Sequence, residues 1–172
     1  MRPMFPQVLS SITRHRGLPL AVLACLLPVH AHAVEPACNR YIDAAEKSAS
    51  QPARQTVTES CGTRMEAIAI GGKAWSRIDA GAWTPLPPRM RAVELRMVGD
   101  LRSGRLPIGA CKVVGADTLD GKPMTVVAYT LTVGGSATPT RAWIGRDGLV
   151  HALSADGVKS RFRYTGVSAP AP

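Results

Sequence analysis

Six two-residue turn signals, Cys61-Gly62, Gly71-Gly72, Asp120-Gly121, Gly134-Gly135, Asp147-Gly148 and Asp156-Gly157, cut most of this chain into short segments and limit what it can become. A two-residue connection reverses the chain between antiparallel strands, whereas parallel neighbours need a crossover of a dozen residues or more. The segments between the signals read as strands over 54–60, 63–70 and 73–78, with a further short piece at 82–84 after the Asp79-Ala80-Gly81 turn. A second block reads as strands over 108–114, 123–133, 141–144, 149–154 and 159–167. Val127, Tyr129, Leu131 and Val133 alternate with Ala128, Thr130 and Thr132, the period of a sheet with one apolar and one more polar face.

Two segments carry the helical period instead. From Ala37 to Ser50 the run is alanine-rich, and Cys38, Ile42 and Ala45 recur at three-to-four spacing until Pro52 ends it. Pro88 suits the start of a second helix reaching Arg102, in which Met90, Val93, Met97 and Leu101 share one stripe while Arg91, Glu94 and Arg102 fall mostly elsewhere. The fold class is therefore α+β, in the order helix, strands, helix, strands.

Residues 1–33 are expected to be a signal peptide. Arg2, Arg14 and Arg16 form a basic leader, Leu18 to Val29 a short apolar core, and Ala31-His32-Ala33 a small-x-small cleavage site. The apolar core is well short of the roughly 20 residues a spanning helix needs. Lipidation at Cys25 is disfavoured by bulky Leu23 and the apolar residues that follow. Cleavage implies a periplasmic protein, a single domain over residues 34–167 and a flexible tail over 168–172. It also removes three of the four histidines, leaving His151, and takes Lys+Arg from 21 to 18 against 12 Asp+Glu, a net +6. Export and the lack of a binding motif exclude nucleic acid as a partner.

Catalysis finds little to work with in this sequence, so the protein is expected not to be an enzyme and to need no cofactor or metal. A histidine-based metal site fails by counting, and His151 has no glycine-x-serine-x-glycine elbow to serve. Asp43 with Glu46, and Asp117 with Asp120, are explained by helix and turn positions. Cys38, Cys61 and Cys111 stay with the exported chain, enough for one bridge and one free thiol, and no pair has CxxC spacing. Loop lengths of 23, 50 and 73 residues do not discriminate between the three pairings.

Several phrases resemble a known family. The ACNRYIDAA helix start, GGKAWSRIDAGAWTPLP, ACKVVGADTLDGKPMTVVAYTL, RAWIGRDGLV and the closing FRYTGVSAP are similar to small exported proteins of the LolA-like superfamily, the lipoprotein-localisation-factor fold. The resemblance covers nearly all of the chain after the leader. It implies a curved antiparallel half-barrel whose concave face is covered by helices and holds acyl chains. It also implies a Cys38–Cys111 disulfide with Cys61 unpaired, since similar members carry cysteines at those two positions.

On this resemblance the chain is expected to bind a lipid, a lipoprotein acyl chain or a similar amphiphile. Met90, Val93, Met97 and Leu101 would form an adaptable lid, and Trp75, Tyr129, Leu131 and Trp143 the apolar cavity, although core packing explains each of them as well. Lys159, Arg161 and Arg163 alternate with Ser160, Phe162 and Tyr164, so one strand face presents three cations. That stripe suits an anionic headgroup, an anionic membrane surface or an acidic envelope protein; as a solvated face it simply keeps the domain soluble. The competing reading is an envelope interaction module whose sheet is filled by its own side chains.

Overall fold

A computed structural model describes residues 35–171; the expected leader and its cleavage site lie outside the described residues. The elements are α1 (Pro36–Ala49), β1 (Ala53–Ser60), β2 (Thr63–Ile70), β3 (Lys73–Ile78), β4 (Thr84–Pro85), α2 (Arg89–Arg102), β5 (Ile108–Leu119), β6 (Lys122–Val133), β7 (Ser136–Gly145), β8 (Val150–Ala155) and β9 (Val158–Arg163). The strands form one open antiparallel sheet in the order β4-β3-β2-β1-β9-β8-β7-β6-β5. Two meanders, β1 to β4 and β5 to β9, meet where β1 pairs with β9, with Gln55 opposite Arg163 and Glu59 opposite Lys159. The result is the curved half-barrel, unclosed between β4 and β5, with helices on one face.

The turn signals act as their chemistry requires. Cys61 and Gly62 both take positive φ, 50° and 79°, as a tight hairpin between right-twisted strands demands. Strand lengths are where the structure departs from the sequence reading. β5 runs to Leu119, because its register slips twice, between Gly109 and Lys112 and between Val113 and Gly115, and an edge strand exposed on both faces shows no clean alternation. β7 begins at Ser136 and includes Pro139, which lies beyond the end of β8 at Thr140, so its missing N–H costs no ladder bond. β9 stops at Arg163, opposite Gln55, and not at Val167; β1 continues past it to Ala53, paired there with β2 alone. The short fourth strand is Thr84–Pro85, not residues 82–84.

The core lies between α1 and the second meander. Tyr41, Ile42 and Ala44 of α1 pack on Val127, Tyr129, Ala142, Ile144 and Val150, with the Tyr41 and Tyr129 rings stacked 4.2 Å apart. The C-terminal turn of α1 is pinned to the β7–β8 connection: the Val150 N–H donates to Ser48 Oγ at 2.9 Å, and Lys47 Nζ donates to the Asp147 carbonyl at 2.6 Å. At the other end, Cys38 is bonded to Cys111, with Cα atoms 5.2 Å apart, and Cys61 is free and exposed. The first β5 bulge aims Cys111 at the helix: Ala110 takes a φ of 52°, and the Cys111 N–H donates to a Glu35 carboxylate oxygen at 2.8 Å.

α2 rests on α1 and stands off the sheet. Leu101 joins the core and Val98 is buried, while Arg102 grips both Asp43 and Glu46 of α1.

Candidate ligand cavity

Between α2 and the first meander lies a cavity of about 460 Å³. Its origin is visible in the side-chain sizes along β2. Arg54 pairs across the ladder with Ala69, and Ala69 with Ala74, so Arg54, Ala67, Ala69 and Ala74 share the helix-covered face. Their intervening neighbours Glu66 and Ile68 belong by alternation to the opposite face, where both are nonetheless buried, and Ile68 still borders the cavity. Small side chains on the inner face leave space that α2 does not fill.

Leu153 of β8 and Phe162 of β9 continue the floor, Tyr41 and Ala45 of α1 close one side, and Met90, Met97 and Val98 of α2 form the roof. Leu86, Pro87 and Pro88 lead into α2 at the mouth, where Lys73 is exposed.

The polar groups at the cavity largely satisfy one another. Arg54 and Glu94 form a two-pronged ion pair, its second bond 2.8 Å long, and the Arg54 guanidinium sits 5.9 Å from the centre of the Phe162 ring. Arg91 donates to the Gln51 carbonyl at 3.1 Å. Tyr164 donates its hydroxyl to the Val150 carbonyl at 2.6 Å, and burial pushes its pKa up, so it remains neutral. What is left to a ligand is predominantly apolar surface with one guanidinium–carboxylate pair at its edge.

The residues singled out from sequence distribute unevenly around this space. Met90 and Met97 line it. Leu101 and Tyr129 belong to the core cluster, with Leu131 packed against it, and Val93 points outward from α2, about half exposed. Trp75 lies opposite Ile68 on the outer face, as does Trp143, which pairs with Val126 and donates its indole N–H to Asp117 at 2.8 Å. Lys159, Arg161 and Arg163 also lie on the outer face, away from the cavity; Arg161 pairs with Asp120, and Arg163 donates to Gln55.

Glu94 faces inward, contrary to the sequence reading, because the phase of α2 is set by its rest on α1 through Val98 and Leu101. Arg54 and Glu94 left no signal beyond their isolated charges.

The carboxylate pairs considered for catalysis have structural employment. Asp43 and Glu46 both hold Arg102; Asp117 takes the Trp143 indole, and Asp120 takes Arg161. His151 bonds to Asp147 at 3.0 Å and meets the Tyr164 ring edge-on. Glu35, Cys38 and Cys111 cluster closely enough for a metal, but the two sulfurs are committed to each other.

No protein-family model and no curated protein sequence matches this chain. Solved structures do match it. LprF from Mycobacterium bovis aligns at 12% identity with a TM-score of 0.50, over 79% of this chain and 96% of that one. The Mycobacterium tuberculosis lipoprotein LppX aligns at 14% identity with a TM-score of 0.51, over 79% of this chain and 97% of that one. At such identities the likeness establishes the fold alone, an open α+β half-barrel.

Proposed function

We propose that this is an exported, non-catalytic envelope protein that binds an apolar chain of a lipid, a lipoprotein or a similar amphiphile in the cavity under α2. The observation that carries the reading is the cavity itself: about 460 Å³ of mainly apolar space, within the range of small-ligand sites. A methylene occupies slightly less than the ~30 Å³ share of a water in liquid, so the space suits roughly 15 chain carbons, about one acyl chain. The alternative of a sheet filled by its own side chains is disfavoured by the alanines at 67, 69 and 74. Periplasmic location is supported by the leader sequence and by the Cys38–Cys111 bridge, which persists in an oxidising compartment. The structural match to a mycobacterial lipoprotein is consistent with an envelope setting.

The test is a native mass of the protein purified without detergent from the periplasm of an expressing bacterium, followed by solvent extraction and mass analysis of what is released. A lipid at near-stoichiometric amount is the expected result. A bare chain that also refuses offered fatty acids and phospholipids would overturn the reading.

A further inference from the structure

α2 carries apolar surface that the fold does not use. Met90, Val93 and Met97 recur at three- and four-residue steps on one side of the helix, and they are 46%, 47% and 49% exposed. Arg89 and Arg96 are exposed beside the stripe. Among the described residues neither joins an ion pair, whereas Arg91 and Arg102 are both engaged. No free carboxylate offsets them on the helix: Glu94 turns inward to Arg54, and Asp100 is held by Arg105 at 2.7 Å. A half-exposed apolar strip edged by unpaired arginines is the chemistry of a helix that lies in the interface of an anionic bilayer.

We infer that α2 is a membrane-docking surface, with Met90, Val93 and Met97 entering the headgroup region and Arg89 and Arg96 meeting lipid phosphates. Met90 and Met97 border the cavity as well as the solvent, so docking brings the cavity rim against the bilayer. The occupant is an anionic lipid surface because the apolar strip and the uncompensated charge coincide on one helix. On the outer face, by contrast, Arg161 is already paired with Asp120, and Lys159 lies opposite Glu59. Docking does not require cargo and stands apart from the proposed cavity ligand.

The experiment is flotation of the chain beginning at Val34 with vesicles of equal parts phosphatidylglycerol and phosphatidylcholine. The protein is expected to float with these vesicles and not with phosphatidylcholine alone. Each cation near an anionic surface contributes about 1 kcal/mol, or about fivefold, so Arg89→Gln with Arg96→Gln should weaken partitioning roughly 30-fold. Val93→Asp should abolish it. Lys159→Gln with Arg161→Gln should change it little, and Ala69→Phe, which obstructs the cavity floor, should leave it intact while removing cargo. Wild-type protein that stays with the soluble fraction overturns the inference. So does retained flotation of the Arg89/Arg96 variant, or an equal loss in the Lys159/Arg161 variant.

Discussion

Arg54 of β1 and Glu94 of α2 clasp each other at the edge of the cavity with two bonds, and their side chains are only 16% and 24% exposed. The pair connects the helix that forms the roof to the strand that forms the floor. Elsewhere that helix rests on α1.

Removing half of this pair leaves a charge in a partly dry place. Glu94→Gln should lower stability by about 2 kcal/mol, the scale of a hydrogen bond to a charged group. For a domain of this size that is a Tm drop of about 6–8 °C in a thermal melt. Adding Arg54→Gln should cost less than a second independent loss, giving a coupling of about 1 kcal/mol or more. Full additivity would mean that the two side chains do not interact in solution.

The bridge from α1 to β5 should matter more. Cys38→Ser with Cys111→Ser opens a 73-residue separation, and chain-entropy reasoning puts the loss at about 4 kcal/mol. Denaturant unfolding with and without reductant measures it. Cys61→Ser, at an exposed turn, should leave the midpoint unchanged, and the oxidised chain beginning at Val34 should take up one alkylating label per molecule.

Met97 is half-exposed at the cavity roof, where a larger side chain has solvent on one side and the binding space on the other. Met97→Trp should keep the wild-type Tm and lose uptake of a fluorescent fatty acid by tenfold or more. A lower Tm with uptake preserved would assign the residue to packing instead.

Acid should unfold this protein partly through Glu66. Burial pushes its carboxyl up, but hydrogen bonds from Arg64 at 3.0 Å and Arg77 at 3.1 Å, with their charges, outweigh this and hold it below the usual carboxylate range. A carboxylate whose folded pKa is depressed contributes stability above its unfolded pKa, about 4.3, and loses it as pH falls through the folded value. The hydrogen bond from Arg102 lowers Glu46 in the same direction. The Tm should therefore fall as pH drops below about 4.3, and Glu66→Gln should make that acid limb shallower. An unchanged slope would show that Glu66 does not titrate in the transition.

The turns were legible because positive φ is a local demand, met at Gly62, Gly72, Gly121, Gly135, Gly148 and Gly157, and the sheet follows from reversing the chain at each. Strand ends were not legible, since β5 slips register and β9 leaves its ladder with β1 at Arg163, before β1 itself ends. The cavity was half legible. Met90 and Met97 follow from helical spacing, but the space beneath them comes from Ala67, Ala69 and Ala74, whose shared face is fixed only by cross-strand pairing. Trp75 and Trp143 fall on the opposite face from the one expected, as cross-strand partners set their side and aromatic character does not. Glu94 reads as a solvated charge until the position of Arg54 is known. The Cys38–Cys111 pairing came from family likeness, because three loop lengths gave no preference among themselves.

The seam between β1 and β9 joins residues as far apart as Gln55 and Arg163, 108 positions along the chain. One edge of the first meander therefore has no partner until the last strand of the sheet has been delivered. On the proposed export route, which threads the polypeptide from its N-terminus, β9 is the last of the nine strands to arrive. Contacts of such long range fold slowly, and the waiting strand is an open template for the wrong neighbour. Loss of the final strand should therefore release an exposed edge that invites aggregation, rather than a smaller working domain.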